Sequence, residues 1–227
     1  MKKKYVIIVA GGKGLRMGGE LPKQFMLLAG RPVLVHTIEA FYNYDPDINI
    51  IVVLPEDQRV YWSQVCKVYN VTIQHQVVNG GETRFHSVKN GLQLVDEDTV
   101  VAVHDGVRPL VSSELIAKVY EIAESEKGAY PVIPLVDSLR KYVSPKGKSR
   151  PVDRSKYCLV QTPQTFLSNV LKYAYKQEYK EKFTDDVSVV EDVKNCVPVM
   201  IEGTQKNIKI TTPIDLKIAE ALIKCRI

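Results

Sequence analysis

Residues 5–14 read YVIIVAGGKG, an apolar run that passes directly into a glycine-rich stretch. The run at residues 5–9 is short, continuous and rich in β-branched side chains, which is typical of a strand buried on both faces of a parallel sheet. The glycines that follow allow backbone amides to approach phosphate groups closely. This stretch therefore predicts a central strand whose carboxyl end carries an anion-binding loop.

Further apolar runs alternate with segments in which apolar residues have helical spacing. The runs cover residues 48–54, 71–78, 100–104 and 129–136, and the helical segments cover residues 32–42, 58–65, 83–94 and 113–125. Mixed strand and helix signals return at residues 166–178, 184–192, 197–202 and 208–210, before a last helix at 212–223. This alternation predicts an α/β fold with a mostly parallel sheet flanked by helices. Ligands of such sheets bind at the carboxyl ends of the strands.

One segment, at residues 137–151, interrupts this alternation. Its sequence Ser144-Pro145-Lys146-Gly147 is a turn signal between two polar, extended flanks. The pattern predicts a protruding β-hairpin. Such a hairpin is either a surface loop or an arm that pairs with a second subunit.

The composition is that of an ordinary globular protein and predicts one domain over residues 1–227. Of these residues, 45% are hydrophobic and 25% charged, and the net charge is +5. That modest charge fits a small anionic substrate better than a nucleic acid. No apolar run approaches the ~20 residues of a membrane-spanning helix. The short run after the first lysines has no cleavage-type segment, so we expect a cytoplasmic protein.

The four cysteines give no sign of a metal site or a disulfide framework. They are far apart in the chain, and no C-x-x-C spacing occurs. We therefore expect reduced, partly buried thiols.

The glycine-rich loop at residues 10–19 brings cations as well as backbone amides. Lys13 and Arg16 lie in it, and Lys23 follows shortly after. A Walker A loop is excluded because Glu20 follows Gly19, and a dinucleotide-binding fingerprint is excluded because Met17 occupies a glycine position. The loop suits a triphosphate that is bound in another way.

Polar residues follow two other predicted strands. Asp105 ends the run at residues 100–104 and is well placed to hold Mg²⁺ that bridges nucleotide phosphates. We interpret His104 beside it as a hydrogen-bonded structural histidine. Gly80 and Gly81 open a helix and could approach a base or a phosphate, although a plain strand–helix turn explains them equally well.

A second group of polar residues lies in the last third of the chain. Arg154 and Lys209 could bind a substrate phosphate, with hydroxyl hydrogen bonds from Thr162 and Thr184. For each of these, a solvated loop is an equally good explanation. The pair at residues 185–186 could also be helix-start charge.

Together these motifs resemble the cytidylyltransferases of the isoprenoid precursor pathway, which make the CDP derivative of 2-C-methyl-D-erythritol 4-phosphate. The resemblance extends from residue 5 to the last helix and is carried by AGGKGLRM with PKQ, GGETRFHSV, HDGVRP, VDRSKYCLVQTPQTF, TDDVSVVE and NIKITTPIDL. It implies a single Rossmann-like, nucleotidyltransferase-like domain whose hairpin arm, at residues 137–153, forms a homodimer. It also implies in-line attack of a polyol phosphate on the α-phosphorus of CTP, with release of pyrophosphate.

The resemblance further implies roles for individual residues. Asp105 would coordinate Mg²⁺ or another divalent cation. The residues implied to take part in catalysis are Arg16, Lys23, Arg154 and Lys209. Those implied to contact CTP through backbone or hydroxyl groups are Ala10, Gly11, Gly12, Gly14, Gly80, Gly81 and Ser87. Those implied to bind the sugar phosphate, some of them across the dimer, are Arg108, Ser138, Arg154, Thr162, Thr184 and Lys209.

Several alternatives compete with this interpretation. A ribitol 5-phosphate cytidylyltransferase shares AGGKG, QTPQ and NIKITTP, but VDRSKY and TDDVSVVE favour the methylerythritol enzyme. Sugar-1-phosphate nucleotidyltransferases usually carry a G-x-G-[ST]-R-[LM] loop, which this loop matches only in part. The broken dinucleotide fingerprint argues against an NAD-dependent oxidoreductase, and the scattered charge argues against a nucleic-acid-binding module.

Overall fold

A computed structural model describes residues 2–11, 21–144, 147–193 and 197–225. The strands are β1 (Lys4–Val9), β2 (Leu27–Leu28), β3 (Arg31–Pro32), β4 (Asn49–Leu54), β5 (Gln76–Asn79), β6 (Val100–Asp105), β7 (Gly128–Pro134), β8 (Arg140–Tyr142), β9 (Ser149–Pro151), β10 (Cys158–Val160), β11 (Gln164–Leu167) and β12 (Val199–Glu202). The α-helices are α1 (Val33–Tyr44), α2 (Arg59–Val68), α3 (Arg84–Leu92), α4 (Ser113–Glu126), α5 (Ser168–Ala174), α6 (Asp186–Glu191) and α7 (Pro213–Lys224). None of these helices in the described residues is long and apolar enough to cross a membrane.

The main sheet is mostly parallel, as predicted, and the α/β fold class is confirmed. Strands β5, β4, β1 and β6 lie side by side in parallel, and β12 pairs in parallel with β7. Strand β11 runs antiparallel between β6 and β7, and β10 continues along β7. The carboxyl ends of the four parallel strands therefore meet at one edge of the sheet.

The alternation of side chains along β1 explains why both of its faces are buried. Val6 and Ile8 pack into a core cluster with apolar residues of α1, α2 and α4. Tyr5 and Ile7 point the other way, into a second cluster with residues of α3, α5 and α6. Each such side chain contributes roughly 1.5–3 kcal/mol on burial. The uninterrupted apolar run is thus what a strand between two helical layers requires.

Local capping fixes where two predicted helices begin. The side chain of Ser112 accepts a hydrogen bond from the backbone N–H of Leu115, and α4 starts at the next residue. Helix α7 begins at Pro213, and the side chain of Asp215 accepts a hydrogen bond from the backbone N–H of Thr212 at 2.8 Å. Both starts agree with the sequence signals to within a residue.

The structure differs from the sequence prediction at two apolar segments. Of residues 71–78, only the end forms a strand, because β5 pairs with β4 from Gln76 onward. Residues 71–75 alternate between half-buried and exposed without joining the ladder. Residues 208–210 are not a strand either, although the backbone N–H of Ile210 donates to the carbonyl of Val107. In both segments, apolar and polar residues alternate because alternate side chains pack against the core. Neither segment has a neighbouring strand in the described part of the chain with which it could form a ladder.

The segment at residues 137–153 contains two short antiparallel strands that form a sheet of their own. Tyr142 pairs with Ser149, and Arg140 pairs with Pro151. The Nε atom of Arg140 also donates to the Ser149 hydroxyl at 2.8 Å. An isolated two-stranded hairpin is marginally stable in water.

We expect Gly91→Ala to destabilise the protein, although alanine normally favours a helix over glycine. A Cβ atom at Gly91 would lie 2.8 Å from Cγ2 of Ile7, which is fully buried in β1. Overpacking of this kind costs about 1–3 kcal/mol, which exceeds the ~1 kcal/mol gain in helix propensity. Urea unfolding would measure the change. Lys89→Ala, at an exposed position of the same helix, is the control, and a stabilised Gly91→Ala protein would contradict the close packing.

Candidate active site

A cavity of about 250 Å³ lies at the sheet edge where the parallel strands end. Seven residues that the sequence predicted for a site line it: Ala10, Gly11, Lys23, Gly81, Ser87, Asp105 and Lys209. They come from the ends of β1 and β6, from the start of α3 and from two loops. Gly12, Gly14 and Arg16, which the sequence also predicted, lie outside the described residues.

The carboxylate of Asp105 is the electrostatic centre of this cavity. Its Oδ2 atom lies 3.0 Å from Nζ of Lys209 and 3.2 Å from Nε of Arg108, and its Oδ1 atom lies 3.9 Å from Nε of Arg84. Burial alone would raise the pKa of this carboxyl, but Lys209, Arg84 and Arg108 hold it well below its ordinary value. Asp105 is therefore ionised at neutral pH.

This carboxylate can hold a divalent cation only together with ligands from a substrate. No group of three or more His, Cys, Asp or Glu side chains able to hold a metal occurs among the described residues. Mg²⁺ commonly binds through one or two carboxylates, with substrate phosphates and waters as its other ligands. Asp105 therefore suits a cation that a polyphosphate also coordinates.

Hydrogen bonds behind Asp105 fix its backbone and the ring of His104. The backbone N–H of Asp105 donates to Oγ1 of Thr162 at 3.1 Å. Nε2 of His104 lies 3.1 Å from the carbonyl of Arg108, so this nitrogen carries the proton. Nδ1 then accepts from the Thr162 hydroxyl at 3.0 Å. Burial lowers the pKa of His104 to about 4, and the ring is thus neutral and structural.

The short 3₁₀ helix Lys23–Phe25 places Lys23 at the cavity. Phe25 is buried and packs edge-on against Tyr61, with ring centroids 4.9 Å apart, and stacks on Trp62 at 6.2 Å. Gln24 is also buried, and its Nε2 donates to the Ala10 carbonyl at 2.8 Å and to Gln58 at 2.7 Å. Gln24 was not predicted from the sequence, where its only signal is its place directly after Lys23.

The turn before α3 admits only glycine at one position. A Cβ atom on Gly81 would lie 2.4 Å from Cβ of His86, closer than side chains tolerate. The Gly81 N–H donates to Oγ of Ser87 at 3.0 Å, and the Ser87 hydroxyl donates to the Thr83 carbonyl. This tight turn keeps backbone groups at the cavity surface, as a site for a base or a ribose requires.

Arg84 is a second residue of the cavity that was not predicted from the sequence. It lines the cavity, and its Nη2 atom donates to Oδ2 of Asp186 at 2.6 Å. Burial opposes its charge, but the carboxylates of Asp186 and Asp105 raise the pKa of this guanidinium further. The GGETR motif contains Arg84, but nothing in the sequence pointed to a partner 102 positions away.

The structure does not bring all the predicted phosphate-binding residues to this cavity. Arg154 is exposed and donates to the carbonyl of Val136, and Ser138 and Thr184 are also exposed. Arg108 is buried, and its Nη1 donates to the Asn207 carbonyl at 2.8 Å. The Thr162 hydroxyl is likewise occupied by internal hydrogen bonds.

A larger groove lies at the opposite end of the strands but lacks converging charge. It has a volume of about 850 Å³ and is lined by residues near the start of β4 and before β5. Its charged lining residues are Lys3, Asp47 and Asp96, and Lys3 and Asp96 pair with each other at 2.7 Å. The smaller cavity, with unlike charges from several elements, is the better candidate for catalysis.

Comparisons with known proteins identify the family to which this chain belongs. A family model described as 2-C-methyl-D-erythritol 4-phosphate cytidylyltransferase matches residues 4–225. A relative with that name from Azobacteroides pseudotrichonymphae is 57% identical over 98% of this chain and 100% of its own length. One from Bacteroides thetaiotaomicron is 54% identical over 97% of this chain and 100% of its own length.

Solved structures give the same result for the fold. The crystal structure of the enzyme of that name from Francisella tularensis is 32% identical, with a TM-score of 0.79, and the match covers 97% of this chain and 99% of the other. The crystal structure from Thermus thermophilus is 31% identical, with a TM-score of 0.76, over 99% of this chain and 100% of the other.

We expect Thr162→Val to destabilise the protein by about 1–3 kcal/mol, because it leaves the buried N–H of Asp105 without an acceptor. Thr165→Val is the matched control. Thr165 is equally buried, but its hydroxyl has no hydrogen-bond partner within the described part of the chain. That change should be neutral or stabilising in urea unfolding. Equal losses for the two variants would contradict the structural role of the Thr162 hydroxyl.

Proposed function

Because the chain belongs to the family of 2-C-methyl-D-erythritol 4-phosphate cytidylyltransferases, we propose how its residues divide the work of that reaction. The enzyme joins CTP to 2-C-methyl-D-erythritol 4-phosphate and releases pyrophosphate. A phosphate oxygen of the sugar forms a bond to the α-phosphorus of CTP, and the bond from that phosphorus to the pyrophosphate oxygen breaks. The relatives do not favour the ribitol 5-phosphate alternative.

The observation that carries the proposal is the convergence of Lys23, Lys209 and Asp105 on one cavity. The attacking group is a phosphate anion, so the reaction needs no general base. This agrees with His104, which is neutral and fully engaged in internal hydrogen bonds. Catalysis then depends on positioning the two phosphates and on neutralising the charge that develops on the leaving oxygen.

We assign the nucleotide to the side of the cavity formed by β1 and the turn before α3. The backbone around Ala10 and Gly81 and the hydroxyl of Ser87 suit the base and ribose. Lys23, together with Arg16 outside the described residues, suits the phosphates. These assignments are supported by the position of the described residues around one cavity.

A divalent cation, Mg²⁺ for instance, would be held by Asp105 and would neutralise the triphosphate. Lys209 lies 3.0 Å from the same oxygen of Asp105, and its side chain is 42% exposed. A divalent cation on Asp105 would weaken the attraction between this ammonium group and the carboxylate. The ammonium group can then reach a phosphate of either substrate, whereas Arg108 is tied to the Asn207 carbonyl.

The hairpin arm is the basis of the proposed homodimer. Tyr142 and Val143 at its tip are 81% and 64% exposed, which is a high exposure for apolar side chains on a short hairpin. A second copy of the chain would cover them and stabilise the arm. Arg154 and Ser138, which flank the strands of the arm, could then reach the cavity of the partner.

A cytoplasmic location, where CTP is available, stays a prediction.

We expect Lys23→Ala to lose at least about 3 kcal/mol of transition-state stabilisation, the range of other removed electrostatic donors. This corresponds to a loss of about a hundredfold in kcat/KM. The assay is pyrophosphate release with CTP, Mg²⁺ and 2-C-methyl-D-erythritol 4-phosphate, with ribitol 5-phosphate in parallel.

Lys206→Ala, at an exposed lysine away from the cavity, is the control for loss of one positive charge. A Lys23→Ala enzyme with kcat/KM near that of this control would refute the role of Lys23. Pyrophosphate release by the wild type with ribitol 5-phosphate alone would contradict the substrate assignment.

We expect Tyr142→Asp to weaken dimerisation at least about tenfold, since a charge replaces an apolar side chain at the centre of the proposed contact. Sedimentation velocity over a range of protein concentrations would measure it. Tyr173→Asp, at an exposed tyrosine of α5, is the matched control. If Arg154 acts across the dimer, the Tyr142→Asp enzyme also loses activity on dilution; a fully active monomer would contradict that arrangement.

A further inference from the structure

Arg84 connects two parts of the molecule that are distant in the chain. It is the first residue of α3, and its guanidinium lies between Asp186 at the start of α6 and Asp105 at the end of β6. The hydrogen bond to Asp186 is 2.6 Å long, whereas the distance to Asp105 is 3.9 Å. The main ion pair of Arg84 is therefore with Asp186, and its interaction with Asp105 at the proposed cation site is weaker.

Asp186 is fully buried, and three side chains provide hydrogen-bond partners for its carboxylate and its backbone N–H. Arg84 donates to Oδ2, and the hydroxyl of Tyr175 donates to Oδ1 at 2.6 Å. The backbone N–H of Asp186 donates to Oε1 of Gln164 at 2.8 Å. A buried carboxylate needs a cation and further hydrogen bonds to be stable. Arg84 is the cation that allows Asp186 to be buried at this position.

The same contacts fix the turn that precedes α6. Thr184 lies two residues before Asp186 and is exposed to solvent. The amide of Gln164 holds the turn from the other side, because its Nε2 donates to Asp185 and its Oε1 accepts from Asp186 and Val187. The position of Thr184 relative to Asp105 therefore depends on Arg84 and Gln164 together.

We propose that Arg84 is a positioning residue for the sugar phosphate, and that it acts through Asp186 by fixing the turn that carries Thr184. The proposal rests on the proposed function and on the role that the family resemblance implies for Thr184, which is a contact with the sugar phosphate. Lys209 and Arg108 approach the carboxylate of Asp105 more closely than Arg84 does, and both remain beside it when Arg84 is replaced. Asp186 is not among the described residues that line the cavity, so we expect loss of its contact with Arg84 to affect the sugar phosphate more than CTP.

A double-mutant cycle tests this with Arg84→Met, Asp186→Asn and the double variant. We expect each single variant to raise KM for 2-C-methyl-D-erythritol 4-phosphate by about tenfold to a hundredfold, as small misplacements do. KM for CTP should stay within about threefold of the wild-type value. The double variant should be no worse than either single variant, since removing both partners leaves no unpaired buried charge.

The control is Lys89→Met, which removes a positive charge from the same helix at an exposed position. A purely structural role would lower the melting temperature and the active fraction, and so kcat, without the selective rise in KM. Arg84→Lys keeps the charge but not the planar guanidinium, and should give a KM between those of wild type and Arg84→Met.

Three results would overturn the proposal. They are a KM for CTP that rises as much as that for the sugar phosphate, additive effects of the two substitutions, or unchanged KM values in all variants. Should Arg84→Met fail to fold, the double variant and Asp186→Asn still give the comparison. Absence of pyrophosphate release by the wild-type enzyme would instead contradict the proposed function, and the two failures are distinguishable.

Discussion

The buried carboxylate of Asp105 is surrounded by cationic side chains from three separate segments of the chain. Arg108 follows it after one turn, Arg84 begins α3, and Lys209 lies in the segment before α7. A buried carboxylate without these cations would be costly, so folding at this edge of the sheet requires all three segments to assemble. The charges that stabilise the fold here are also those that a metal–triphosphate complex would meet.

The rest of the site follows from the direction of the strands. Since β1, β4, β5 and β6 are parallel, the residues after each of them lie on one side of the sheet. A hydrogen bond from Gln24 joins the turn that carries Lys23 to the end of β1. A hydrogen bond from Arg84 joins the start of α3 to the start of α6. Side-chain hydrogen bonds from Gln24 and Arg84 thus fix two turns near the cavity.

The sequence predicted the parts of this arrangement that depend on local patterns. The apolar run at residues 5–9, the glycine turn at Gly81 and the acidic end of β6 are each visible within a few residues. The failures have a common cause. Residues 71–75 alternate like a strand but pair with none, and the roles of Gln24 and Arg84 arise from partners that only the tertiary fold brings near. The spacing of apolar residues along the sequence indicates which positions are buried. It does not indicate which hydrogen-bond or ion-pair partner a polar side chain has.

The packing of Phe25 has a spectroscopic consequence. Trp62 is the only tryptophan of the chain. It stacks on Phe25 in the same short turn as Lys23, and its Nε1 atom donates to His75 at 3.0 Å. Indole emission depends on hydrogen bonding and on nearby rings, so the protein contains an intrinsic fluorophore close to Lys23. Any movement of that turn on addition of CTP would therefore change the emission of the unlabelled protein.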